Sequence, residues 1–255
     1  MTPDIVVTRR EAVAAIGFNR PQRRNALTAE MYEAMAAAIA EADADAAVRA
    51  VLFHGTEEAF TAGNDIEDFV RRPPAGEDAP VFRLLRSVVA ARKPMIAAVN
   101  GMAVGLGTTL LLHCDLVYAG EDARFSLPFT KLGLVPEFGS SYLLPLIAGY
   151  QRAAELLLLG EPFDAAHAHA VGIVTRIVPR AQVLETAWDA ARRLAALPAD
   201  SVNATRELMK APHREAVERQ MRLEGGHFRA LLGAPAAREA LAAFLEKRKP
   251  DFSRL

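Results

Sequence analysis

Glu137 places one carboxylate among apolar neighbours, in Gly133-Leu-Val-Pro-Glu137-Phe-Gly-Ser-Ser141. Phe129, Leu132, Leu134 and Phe138 suggest a pocket that excludes water. Desolvation favours the neutral acid, so its pKa should lie above that of free glutamate, about 4.3. A carboxyl tuned that way can remove a proton from a bound molecule and return it elsewhere. A lone glutamate before a helix has a second use, capping the N–H groups at Gly139-Ser140. Upstream, Asn100-Gly-Met-Ala-Val-Gly-Leu-Gly107 runs from an apolar strand, Met95 to Val99, into an apolar helix, Thr108 to Leu112. A helix start reached through a glycine turn leaves backbone N–H groups free. Such groups hold an anion or a developing oxyanion. The chemistry on offer is proton transfer beside an oxyanion.

Other polar clusters offer less. Asp65, Glu67 and Asp68 are acids in a first helical turn, read as dipole partners, and no metal is expected. His54, His113, His167, His169, His213 and His227 show no ligand spacing and are assigned surface or packing roles. Cys114, the only cysteine, excludes an intrachain disulfide and reads as a buried, inert thiol. Leu110-Leu-Leu112 and Leu156-Leu-Leu-Leu159 read as core.

The elements that must position these groups follow from periodicity. Ile5–Val7 and Val13–Phe18 form two strands joined by a turn at Arg10-Glu11. Thr28 caps a helix over 29–43, with Met31, Met35 and Ile39 on one face. Val48–His54 is a third strand, and 55–65 a loop. A short helix reaches Arg72. The breaker-rich stretch 71–80 suggests a flap over a site. Val81–Ala91 is helical. Leu116–Tyr118 and Arg124–Ser126 are strands, 151–159 and 165–170 helices, Ile173–Val178 a strand, and 181–197 an amphipathic helix. From Ser201 the pattern is helical, broken at Pro212, Gly225-Gly226 and Gly233.

The chain of 255 residues can bury a substantial core. A net charge of −1 gives no support for nucleic acid or anionic membranes as partners. No apolar run approaches a membrane span, and the N-terminus lacks signal-peptide features. Ser253-Arg254-Leu255 resembles the peroxisomal address Ser-Lys-Leu; a cytoplasmic location is expected, or the peroxisomal matrix if the source is eukaryotic.

Five stretches, in order, resemble the enoyl-CoA hydratase/isomerase (crotonase) family. They are Phe18-Asn-Arg-Pro-Gln-Arg-Arg-Asn-Ala-Leu27, Phe60-Thr-Ala-Gly-Asn-Asp-Ile66, Asn100–Gly107, Cys114-Asp-Leu-Val-Tyr-Ala119 and Phe244-Leu-Glu-Lys-Arg-Lys-Pro-Asp-Phe252. The resemblance implies an α/β fold. A spiral of ββα units would occupy 1–197 and a helical trimerisation segment 198–255. It implies an acyl-CoA thioester substrate, a homotrimer or dimer of trimers, and no cofactor beyond the coenzyme A of the substrate. Carried over by motif, the oxyanion donors are the backbone N–H groups of Asn64 and Leu106. Arg24, Ala26, Ala62, Gly63, Asp65, Ile66, Gly105, Phe129, Phe244 and Lys247 are the implied substrate contacts. Arg23 and Arg24 meet either solvent or the CoA phosphates. The two catalytic glutamates of the hydratases would fall at Thr109 and Phe129, and neither is acidic here. The stretch 130–141 resembles instead the Δ3,Δ2-enoyl-CoA isomerases, which use one glutamate at the position of Glu137. The expected activity moves a double bond from C3 to C2. The alternatives are another crotonase-type enzyme or a non-catalytic acyl-CoA-binding protein.

Overall fold

A computed structural model describes residues 2–74, 76 and 78–253. Arg254 and Leu255, two of the three residues resembling a peroxisomal address, lie outside the described residues. The chain begins with β1 (Ile5–Arg10) and β2 (Val13–Phe18), then α1 (Ala29–Ala44), β3 (Ala50–His54) and β4 (Ala59–Thr61). The helices α2 (Ile66–Arg71) and α3 (Pro80–Ala90) follow, then β5 (Met95–Val99), β6 (Met102–Val104) and α4 (Leu106–Thr109). Next come β7 (Leu116–Gly120), β8 (Arg124–Ser126), α5 (Ser140–Ala148), α6 (Tyr150–Ala154), β9 (Phe163–Asp164) and α7 (Ala165–Ala170). The last elements are β10 (Arg176–Val178), α8 (Val183–Ala196), α9 (Ala199–Leu232) and α10 (Pro235–Leu245).

After the β1-β2 hairpin, the pairs β3/β4, β5/β6 and β7/β8 each deliver one strand to each of two sheets. The larger sheet has the order β1-β2-β3-β5-β7-β10, and the smaller β4-β6-β8-β9. Pairing is parallel except at β1-β2 and β8-β9. This is the spiral of ββα units. The inner strand β5 is buried along its whole length, as parallel strands covered on both faces must be. Met95, Ala97 and Val99 face the main core with α1 and α3, while Ile96 and Ala98 face Trp188, Val183 and Ala187 of α8. The step from β5 to β6 turns at Gly101, with φ +62°, where a Cβ would lie 1.8 Å from the Glu58 carbonyl oxygen. Only glycine fits there. Thr28 accepts from Met31 N–H and caps α1, as its side chain suggests.

Several expectations change. β4, β6 and β9 have two or three residues each and arise from pairing, which no local pattern announces. The helix after the glycine turn starts at Leu106 rather than Thr108 and tightens into a 3₁₀ turn at Leu110–His113. The tail is not broken at Pro212 or at Gly225-Gly226: α9 runs 34 residues through all three. An interior proline costs about 3 kcal/mol of helix stability. Tertiary anchoring opposes that cost. Arg206 of α9 is buried and bonds Asp115 (2.8 Å) and the Ala91 carbonyl (2.6 Å), while Lys210 donates to the His113 carbonyl (2.7 Å). Leu156 and Leu157 are core, but Leu158 and Leu159 point outward from a π-turn and are exposed. Among the described residues no helix is long and apolar enough to cross a membrane.

Candidate active site

The loops 24–27 and 62–65 are laced together by their backbones. Ala62 N–H donates to the Arg24 carbonyl (2.9 Å), Leu27 N–H to the Gly63 carbonyl (2.8 Å), and Asp65 N–H to the Leu27 carbonyl (2.9 Å). Arg24 and Asn25 take left-handed backbone conformations to make this turn. Buried Asn25 ties it down, donating to the Ala59 carbonyl (2.8 Å) and accepting from Arg20 N–H (2.8 Å). Asp65 caps α2 and pairs with Arg20 at 2.6 Å. That structural work accounts for Asp65 without a ligand. Asn64 N–H is left out of the lacing: among the described residues it has no protein acceptor. The Asn64 side chain accepts from Tyr32 Oη, which fixes its orientation.

Leu106 is reached through Gly105, whose N–H donates to the Ser126 carbonyl (2.9 Å). Gly105 has φ +54° and ψ −115°, a backbone that only glycine adopts easily. The turn leaves Leu106 N–H, like that of Asn64, without a protein acceptor among the described residues.

Asn64, Leu106 and Glu137 line one cavity of about 460 Å³. Its walls are Phe69 and Pro74, then Val81, Phe82, Leu85 and Val89 of α3, and Met221, Gly225 and Phe228 of α9. Arg86, Glu218, Arg222 and Arg229 are exposed at its edge, with Arg229 over the Phe82 ring at 5.9 Å. Pro74 belongs to the breaker-rich stretch 71–80, of which residues 75 and 77 lie outside the described residues.

The carboxylate of Glu137 is divided in its roles. One oxygen accepts from Thr109 Oγ1, and Oε2 is buried with no partner among the described residues. Burial pushes the Glu137 carboxyl up to about 8; Thr109 pulls the other way, and the negative charge of Glu224 adds to the rise. The helix-capping role belongs to another residue. Glu224 of α9 accepts from Gly139 N–H (2.6 Å), Ser141 N–H (3.0 Å) and Ser141 Oγ at the start of α5. Glu137 contributes only its backbone carbonyl there, accepting from Ser140. His113 packs flat on Phe138 at 4.0 Å and bonds its carbonyl. Burial holds His113 neutral, with its pKa down at about 3.

The structure brings some expected residues together and disperses others. Gly63, Asn64, Gly105, Leu106 and Glu137 converge, and Ala26, Ala62 and Ile66 lie in or beside the laced loops. Arg24 is exposed beside them. Phe129 is not a cavity wall: it is buried in the main core. Leu134 packs on Phe228 and Ala237, so of the apolar residues flanking Glu137 only Phe138 reaches the cavity. Phe244 is 60% exposed and Lys247 is also exposed, and neither lines the cavity of this chain. Sequence reasoning missed Thr109 as the partner of Glu137, Tyr32 on Asn64, and Glu224. The spacing of Met221, Gly225 and Phe228 (i, i+4, i+7) could have revealed an α9 face turned inward.

The enoyl-CoA hydratase/isomerase family matches residues 8–254 of the chain. The chain is 34% identical over 250 residues to the 1,2-epoxyphenylacetyl-CoA isomerase of Escherichia coli K12, covering 95% of each. It is 36% identical over 218 residues to the human enoyl-CoA delta isomerase 2, covering 83% of the chain and 55% of that protein. Other relatives bear hydratase names. The structure of Pseudomonas aeruginosa OdaA superposes with a TM-score of 0.94 at 48% identity, over 96% of this chain and 99% of that one. Spiral fold, paired free N–H groups, a buried carboxylate and similarity along the whole length agree: the chain belongs to the enoyl-CoA hydratase/isomerase family and is an enzyme of that kind.

Proposed function

We propose that this enzyme moves a double bond from C3 to C2 of an enoyl-CoA, with Glu137 as its single acid–base group. The observation that carries this reading is Glu137 Oε2, buried and without a partner among the described residues, on a side chain that lines the same cavity as Asn64 and Leu106, whose N–H groups have no protein acceptor there. Ionised Glu137 takes a C2 proton from the 3-enoyl thioester. The C2–H electrons pass into a dienolate, whose negative thioester oxygen accepts from the two N–H groups. Losing one such donor typically costs roughly 10²–10³ in rate. Glu137 then gives the proton to C4, and the C3=C4 double bond becomes C2=C3. Coenzyme A enters as part of the substrate and no separate cofactor takes part. The proposed working unit is a homotrimer or a dimer of trimers.

Hydration would need a second group to hold and activate water. Thr109 is a poor base and Phe129 lies in the core. A second carboxylate does border the cavity, but both oxygens of Glu224 are occupied by donors. The test is an assay of purified protein on two isomers. A 3-enoyl-CoA should be converted to its 2-enoyl isomer, and 2-enoyl-CoA should yield little 3-hydroxyacyl-CoA. Glu137→Gln should lower isomerisation by roughly 10²–10⁴ while CoA binding survives. Efficient hydration by the unmodified enzyme, or full activity of the variant, would overturn the assignment.

A further inference from the structure

We infer that Glu224 is a positioning residue for Glu137: a second buried carboxylate, supplied by α9, that fixes the Glu137 loop and holds a negative charge beside the base. The inference rests on the role given to Glu137 above.

The backbone around Glu137 needs holding. Phe138 and Gly139 follow it with φ of +65° and +69°, two successive left-handed residues, and the first is not glycine. Unsupported, such a turn would relax. Glu224 bridges it, taking Gly139 N–H on Oε2 and the Ser141 N–H and hydroxyl on Oε1. Gln220, one turn earlier on α9, donates to Ser141 Oγ at 2.8 Å. Val217 and Met221 of the same helix close over Gly139, where a Cβ would lie 3.1 Å from Val217 Cγ1. The Glu137 side chain therefore takes its direction from a helix more than eighty residues downstream, as the Gly139–Glu224 bond spans a separation of 85.

Charge is the second effect. Glu224 is 4% exposed and lines the same cavity as Glu137. Burial raises the Glu224 carboxyl above the ordinary glutamate range, and the N–H and O–H donors on both of its oxygens pull it back toward the ionised form. A buried like charge raises the proton affinity of its neighbour, and so the strength of Glu137 as a base. The other polar groups facing Glu137 do not substitute for it. Tyr32 of α1 points at Asn64, Thr109 of α4 donates to Oε1, and His113 is neutral. Arg86 of α3 and Glu218, Arg222 and Arg229 of α9 stand at the exposed edge.

The test is Glu224→Gln, which keeps the shape and removes the charge, assayed beside Glu137→Gln. In the Glu224 variant kcat should fall about tenfold with KM within about twofold, as expected of a loss confined to the transition state. The acid limb of kcat/KM should move about one unit lower in pH. A residue serving only the fold would lower the active fraction and leave the limb in place, so an unmoved limb overturns the inference. A loss as deep as that of Glu137→Gln would make Glu224 a second catalytic group and overturn the positioning role. Should Glu137→Gln remain active, the reading of Glu137 itself fails, a separate result. If Glu224→Gln does not fold, Ser141→Ala carries the test, because it removes a donor and leaves the charge. There kcat should fall about two- to tenfold, the worth of one hydrogen bond, with the acid limb unmoved. Unmodified kcat in that variant overturns the inference.

Discussion

Glu137 is costly to the fold in the ionised state that the proposed reaction needs. Its pKa is pushed up to about 8, chiefly by burial. Below that pH the neutral acid dominates in the free enzyme, and above it the base. The kcat/KM for isomerisation should therefore rise with pH through about 8 and then level. A profile flat down to the free-glutamate value, about 4.3, would remove the desolvated base. Stability should run the other way. The folded pKa lies above the unfolded one, so between them the folded state binds a proton that the unfolded chain releases. Stability from this group is fully present below the unfolded pKa and is lost as pH rises to about 8. Glu137→Gln carries no such titration. Calorimetry should find the variant little changed near pH 4 and clearly more stable than the unmodified enzyme near pH 9. An equal difference at both ends would refute the shift. The position of Glu137 was legible in the sequence because its neighbours are apolar. Its surroundings were not, since Thr109 bonds it and Glu224 bonds Gly139 and Ser141 beside it only through the tertiary fold.

At the scale of elements, two glycine turns set the geometry of the proposed donors, and they should respond differently to one methyl group. At Gly63, φ is +80° and a Cβ would lie 2.6 Å from the Val104 carbonyl oxygen. Val104 precedes Gly105 and Leu106, so the clash would push the two donor loops apart. At Gly105, φ is also positive, but a Cβ would meet nothing within 4 Å. Strain alone remains, of about 1–3 kcal/mol. Gly63→Ala should thus lower turnover by roughly 10²–10³, the worth of one oxyanion donor, with a smaller change in CoA affinity. Gly105→Ala should lose less turnover. Steady-state kinetics with a binding assay would check both, and equal losses in turnover and binding at Gly63 would count against the donor role. The main strands β3, β5 and β7 were legible because buried parallel strands are continuously apolar. Of the four short strands of the smaller sheet only β8 was read from the sequence; β4, β6 and β9, of two or three residues each, carry no period of their own. Nor was the continuity of α9, because its glycines and proline read as breaks until tertiary contacts are known.

At the scale of the molecule, the exposed apolar surface calls for a partner. Leu158 and Leu159 are 65% and 57% exposed at the turn after α6, and Tyr150 of that helix is 71% exposed. Leu208 and Met209 on α9 are 75% and 62% exposed, and Phe244 and Leu245 close α10 in the same state. Single exposed leucines need no explanation, but adjacent pairs on three separate elements do. The long helix is fixed to the core through Asp115, with Arg206 at 2.8 Å and Lys210 at 3.2 Å. Its exposed leucine and methionine are therefore held on a rigid support rather than free to fold inward. Covering a leucine is worth about 1.5–3 kcal/mol. Several per chain, repeated by symmetry, suffice to hold copies together at micromolar concentration. Light scattering should give three or six times the mass of the 27.6 kDa chain. Replacing Leu158 and Leu159 together by Asp should shift the population toward smaller species, because the change adds charge to a surface that would otherwise be covered. Both residues lie outside the cavity, so any fall in turnover should track the loss of assembly on dilution. A stable monomer of the unmodified chain at micromolar concentration would overturn the assembly, and would leave Phe244 and Lys247 as solvent-facing residues of the tail with no site to complete.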